Sequence, residues 1–111
     1  DVTFQVNMKN ELVNDTGLRI SGGSLGAGQP GGIAMEDIDG DGIWSVTLSL
    51  PKGSIHTYKY RNGYFPDSWD SGWEIVPDEC GVVEFNNRQF ITAERDTILP
   101  PVCFSSCTDC D

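Results

Sequence analysis

The chain has no run of about 18 apolar residues, so it holds no candidate for a membrane-spanning helix. Its opening, DVTFQVNM, lacks the basic and apolar regions of a signal peptide. Apolar stripes of helical period never extend beyond about two turns, which argues against a helical fold. Basic residues are scarce, 7 against 17 acidic, for a net charge of −10. Nucleic-acid phosphates must be met by Lys and Arg, so that balance argues against nucleic acid and, less firmly, against heavily sulfated polysaccharides. His56 is the only histidine. Surface carboxylate pairs such as Asp67 and Asp70 lack the scaffold of an active cleft, so no enzymatic activity is expected.

With 111 residues there is room for one domain and one core, residues 1–111. The 13 glycines and 6 prolines suit short strands joined by tight turns. Strands are predicted at Val2 to Met8, Leu18 to Ser21, Ile43 to Leu50, His56 to Arg61, Val82 to Phe85, Arg88 to Thr92 and Thr97 to Leu99. That spacing predicts an all-β, immunoglobulin-like antiparallel sandwich with a disulfide-rich C-terminal segment. In Val2 to Met8 the even positions are apolar, and Trp44, Val46, Leu48 and Leu50 alternate with Ser45, Thr47 and Ser49. Pro51-Lys52-Gly53 reads as a turn that returns the chain at His56 to Arg61, so a hairpin of these two strands is expected. Trp44, Tyr58 and Tyr60 are assigned to the core. Gly22 to Gly32, with six glycines in eleven residues, reads as a long loop, either a connector or a surface shaped for a ligand.

All four cysteines, Cys80, Cys103, Cys107 and Cys110, fall in the last third. Only Cys107 and Cys110 form a C-x-x-C pair, which fits a zinc site poorly, and Thr108-Asp109 between them supplies no charge to activate a thiol. Two disulfides in an oxidising compartment are expected instead. Cys80 with Cys103 and Cys107 with Cys110 is the favoured pairing; Cys80 with Cys107 and Cys103 with Cys110 is the alternative. The bare Asp1-Val2 start inside a strand pattern reads as a mature or excised piece of a multidomain secreted protein.

Six of the eleven aromatic residues, Tyr58, Tyr60, Tyr64, Phe65, Trp69 and Trp73, fall between positions 58 and 73. Flat aromatic faces pack against the axial C–H groups of sugar rings while neighbouring polar groups meet the hydroxyls. Tyr64, Phe65, Trp69 and Trp73 lie in a loop rich in Pro, Gly and Asp, with Asn62, Arg61, Asp67 and Asp70 as the polar complement. Asp37, Asp39 and Asp41 open like a calcium loop, D-x-D-x-D-G, but the bidentate Glu of such a loop is replaced by Leu48. A self-bonded turn is the simpler reading, and a calcium ion completed by distant ligands is the alternative. No cofactor is required.

Asp37 to Gly53 followed by Tyr58-Lys59-Tyr60-Arg61-Asn62-Gly63 resembles the central hairpin of immunoglobulin-like starch- and glycogen-binding modules. Trp73-Glu74, Cys80, Asn87-Arg88 and the ending CFSSCTDC resemble modules appended to secreted polysaccharide-degrading enzymes of marine Bacteroidetes. The resemblance implies a monomeric, extracellular, non-catalytic module, linked to a catalytic domain and binding a neutral glucan or an algal polysaccharide. It gives Tyr64 or Trp69 the stacking role and Lys59 a hydroxyl contact. The glycogen-binding relatives also place a tryptophan in the loop before the hairpin, where Gly22 to Gly32 offers only Leu25. A ligand set of Lys59, Arg61, Asn62, Tyr64, Trp69 and Trp73 is therefore expected, with Gly22 to Gly32 as the alternative location. A structural spacer or adhesion module is the competing function.

Overall fold

A computed structural model describes residues 1–68, 70–82 and 85–110. The strands are β1 (Val2–Asn7), β2 (Leu18–Ser21), β3 (Ile33–Ala34), β4 (Ile43–Leu48), β5 (Ile55–Asn62), β6 (Arg88–Ile91), β7 (Thr97–Ile98) and β8 (Val102–Cys103), and no helix occurs among the described residues. They form two sheets. One has the order β4-β1-β7 with β8 also on β1, and the other the order β3-β2-β5-β6. The all-β sandwich expected from the alternation is present, with β7 and β8 running parallel to β1 and the remaining pairs antiparallel.

The core follows from the period of two. Val2, Phe4 and Val6 of β1 are buried and oppose Leu48, Val46 and Trp44 of β4. From the second sheet Leu18, Ile20, Tyr58 and Tyr60 face them. Phe4 meets Tyr58 edge-on at 5.0 Å between ring centroids and Phe90 at 6.0 Å, the arrangement the ring quadrupoles favour. Burial raises the Tyr58 phenol above its ordinary pKa and raises Tyr60 well above it. Trp44 is half-buried and packs against this cluster.

The expected hairpin of Ile43 to Leu50 with His56 to Arg61 is not formed. β4 pairs with β1, β5 pairs with β2 and β6, and the two strands lie in different sheets. Their apolar faces meet across the core instead of lying side by side. Alternation dictates which face of a strand turns inward but is silent on which sheet it joins. The link between them is also longer than a two-residue hairpin turn, and it is fastened to Thr92. Gly53 donates its N–H to the Thr92 carbonyl at 3.1 Å, Thr92 donates to the Ser54 carbonyl at 2.9 Å, and Ser54 N–H donates to the Thr92 hydroxyl at 2.8 Å.

Two other expectations change. Val82 and Phe85 lie outside any strand, Phe85 and Asn86 having φ of 59° and 53°; Val83 and Glu84 lie outside the described residues. The favoured cysteine pairing is replaced by the alternative, Cys80–Cys107 and Cys103–Cys110. Cys103 ends β8 beside β1, and Thr108 O accepts its N–H at 2.8 Å, folding the tail back so that Cys110 reaches Cys103. All four sulfurs are thereby bonded, which leaves no cysteine for zinc. Two disulfides in a domain of this size are compatible with an extracellular location.

The tail is also held by a buried ion pair. Glu74 and Arg88 bridge at 2.8 Å with side chains 0% and 7% exposed. The Glu74 carboxylate accepts two N–H groups from Arg88 at 2.9 and 2.8 Å, the Tyr60 amide at 2.8 Å and the Ser105 amide at 3.0 Å. Arg88 also donates to the Ser106 carbonyl at 2.6 Å. Burial alone would lower the Arg88 pKa, and the Glu74 carboxylate reverses that and holds it above the ordinary value.

Candidate functional site

The outer face of the β3-β2-β5-β6 sheet carries the polar alternates of its buried residues. Arg19 stands opposite Arg61 and Ser21 opposite Lys59 in the antiparallel β2–β5 register, so all four project to the side away from Leu18, Ile20, Tyr58 and Tyr60. Two loops rise beside this face, 22–32 after β2 and 63–72 after β5. Asn62 N–H donates to the Gly72 carbonyl at 2.7 Å and closes the base of the second loop. Trp73 then bridges back onto Arg61, which places it on the same outer face.

Arg61 organises the second loop. It is 3% exposed, its Nε donates to Ser71 O at 2.7 Å and its Nη2 to Ser68 O at 2.8 Å. Its guanidinium carbon lies 4.2 Å from the centre of the half-buried Trp73 ring and 5.6 Å from that of Phe65. Desolvation lowers its pKa from the ordinary value. The first loop fits against these groups because it is glycine-rich. Gly22 lies close to the Trp73 ring, where a Cβ would sit 3.3 Å from two ring atoms. At Gly31, with φ of 77°, a Cβ would run into the Tyr64 ring.

Between the loops lies a cleft of about 530 Å³, within the range of small-ligand sites. Gly26 to Gly31 supplies one wall, Phe65 to Ser68 the other, and Ser21, Arg61 and Trp73 lie between. The aromatic loop and the glycine-rich loop, alternative locations in the sequence, are thus two sides of one feature. A second cleft of about 630 Å³ lies among Gly23, Thr57, Gly81, Val82, Phe85, Asn87 and Gln89.

The structure brings Arg61 and Trp73 together in the first cleft and places the other candidates differently. Lys59 donates its ammonium to the Phe85 carbonyl at 2.6 Å. Asn62 accepts the Asn14 amide at 2.9 Å and donates to Leu12 O at 3.0 Å, so both ends of its side chain hold the segment after β1. Tyr64 is exposed beside the cleft, its ring 4.5 Å from the Arg19 guanidinium carbon. Trp69 lies outside the described residues. Arg19 was not a candidate. Its outward position follows from the alternation of β2, but its apposition to Arg61 depends on a register that residue types do not reveal.

Asp37, Asp39 and Asp41 do converge, one carboxylate oxygen from each lying within 4.8 Å of the others. Asp37 already accepts the Asp41 amide at 3.2 Å and the Gly42 amide at 3.0 Å, and Asp41 accepts the Ile43 amide at 3.0 Å. At Asp39 a backbone hydrogen bond pulls the pKa down, yet the charge of Asp41, with desolvation, a hydrogen bond to Asp41 and the charge of Asp37 behind it, outweighs that pull and holds the group above its ordinary value. Asp41 is held below its ordinary value, chiefly by the Ile43 amide.

Searches against protein-family models and curated proteins found no significant match for the chain.

Proposed function

We propose that the chain is a non-catalytic carbohydrate-binding module of a secreted protein, which holds an appended enzyme on a polysaccharide, and that the sugar occupies the cleft between the two loops. The observation that carries this reading is the cleft itself: a half-buried indole braced by a guanidinium, beside Gln29, Asp67 and Ser68 as partners for hydroxyl groups. Trp69 belongs to the proposed ligand set on its sequence alone, with Tyr64 at the edge. Among the described residues the serine–histidine contact is at Ser54 and His56. Ser54 Oγ lies 2.7 Å from His56 Nε2 but donates to the Pro51 carbonyl at 2.6 Å, and no carboxylate pairs with His56 among the described residues.

Affinity electrophoresis in gels containing starch, laminarin, agarose, alginate or fucoidan tests the proposal. Retardation in at least one gel, abolished in Trp73→Ala, is expected. Migration unchanged in every gel would favour the spacer, and release of reducing sugar would favour a hydrolase.

A further inference from the structure

Arg61, buried at the cleft, and half-buried Arg19 on the neighbouring strand lack, among the described residues, the carboxylate partner that buried cations ordinarily have. Arg19 and Arg61 face each other across β2 and β5, and like charges directly opposed on neighbouring strands destabilise a sheet. Neither forms an ion pair among the described residues. The hydrogen-bond partners of Arg61 among the described residues are the neutral carbonyls of Ser68 and Ser71, and the Nε of Arg19 is buried with no hydrogen-bond partner among them. This occurs in a chain with 17 acidic residues to 7 basic ones, which gives its other buried arginine, Arg88, a fully engaged carboxylate. Leaving a buried guanidinium without a counter-charge costs free energy that an anionic ligand would offset.

Resting on the carbohydrate reading above, we infer that the cleft takes an acidic glycan, with a sugar-borne oxyanion seated on the Arg61 guanidinium and Arg19 adding a second positive charge one strand away. The planar fork of arginine matches a carboxylate or a sulfate ester through two parallel hydrogen bonds, and Nη1 of Arg61 has no partner among the described residues. Asp67 lines the same cleft, so the anionic group sits at the Arg61 end and uncharged hydroxyls face Asp67. The net charge of −10 does not forbid this, because charges farther apart than about 8 Å are largely screened at physiological ionic strength while a contact pair is not.

Titration calorimetry with three sets of oligosaccharides tests the inference: uronic-acid oligomers, sulfated galactan oligomers, and carboxyl-reduced or desulfated versions of the same chains. The acidic oligomers are expected to bind at least about tenfold more tightly than their neutralised counterparts, with affinity falling as salt rises. Preference for the uronate or the sulfate set names the source of the oxyanion. Arg61→Gln is expected to weaken acidic binding by about tenfold or more. Should that variant fail to fold, Arg19→Gln breaks no hydrogen bond among the described residues and is expected to weaken the same binding severalfold and flatten its salt dependence. Equal binding of acidic and neutral chains, or acidic binding indifferent to both substitutions in folded protein, overturns the inference and leaves the carbohydrate reading standing. Absence of binding to any oligosaccharide overturns both.

Discussion

Arg88 and Arg61 are about equally buried, 6% and 3% exposed, and they belong to opposite faces of one sheet. Arg88 faces inward and is met by a carboxylate that is itself satisfied by two backbone amides, the arrangement of a structural ion pair. Arg61 faces outward, is met by two carbonyls and an indole ring, and lines a cleft. The same residue type thus serves the scaffold where its charge is cancelled and lines the proposed site where it is not. Burial alone does not separate the two roles. The partner does.

Removing the partner on the scaffold side should have the largest effect. Glu74→Gln leaves Arg88 buried without its counter-charge and is expected to destabilise the fold by about 3–5 kcal/mol, read as a lower urea midpoint. It should also loosen the C-terminal segment, since Ser105 donates to the same carboxylate. If Glu74→Gln melts with the wild type, the contrast between the two arginines loses its structural half. Replacing Cys80 and Cys107 by serine opens a cross-link with a sequence separation of 27 and is expected to cost about 3 kcal/mol by the same measurement.

On the site side the effects belong to binding. Trp73→Ala is expected to weaken polysaccharide binding by about 1–3 kcal/mol, the loss typical of a modest hot spot, while the domain remains folded. Trp44→Ala should do the reverse, lowering stability with binding unchanged, because that ring packs on the core beneath the other sheet. Should Trp73→Ala bind as the wild type does while Trp44→Ala abolishes binding in folded protein, the assignment of site and scaffold would be inverted.

Smaller effects concern ionisation and the acidic turn. Tyr58 and Tyr60 have phenols whose folded pKa is raised, so the stability they contribute is fully present below the unfolded value of 10.0 and is lost as pH rises through the folded values. The urea midpoint should therefore fall above pH 10.0, and less steeply in Tyr60→Phe. Asp37→Ala removes the acceptor of two backbone amides and is expected to cost about 1 kcal/mol. Because those amides already engage Asp37, calcium or chelator should leave the melting temperature unmoved; a rise with calcium would instead reveal an ion completing the triad.

Much of the fold was legible in the residues, and the limits have physical causes. β1, β2, β4 and β6 announce themselves through alternation and β-branched or aromatic content, because side-chain period is a local property. Sheet partnership is not local: Trp44, Val46 and Leu48 present the same pattern whether β4 lies beside β5 or faces it across the core. Ile33–Ala34 and Val102–Cys103 are too short to carry a period. Of the site, Arg61 and Trp73 could be named from the aromatic loop, and Gly22 to Gly32 could be named as a ligand surface. That these form one cleft depends on Trp73 returning to Arg61 and on Gly22 and Gly31 admitting the rings beside them. The bonds of Lys59 to Phe85 O and of Asn62 to the Leu12 to Asn14 segment depend on long-range contacts that residue types do not reveal.

The claim that the ligand lies between the two loops is tested most directly by a nitrogen–proton NMR titration of the labelled domain with the oligosaccharide that binds best. Shifts are expected to concentrate in the amides of 22–31 and 65–73, in the Arg61 Nε–H and in the Trp73 indole N–H, with 37–42 unmoved. Shifts confined to 37–42, or spread around Phe85 and Gln89 with the Arg61 and Trp73 side chains silent, would contradict it.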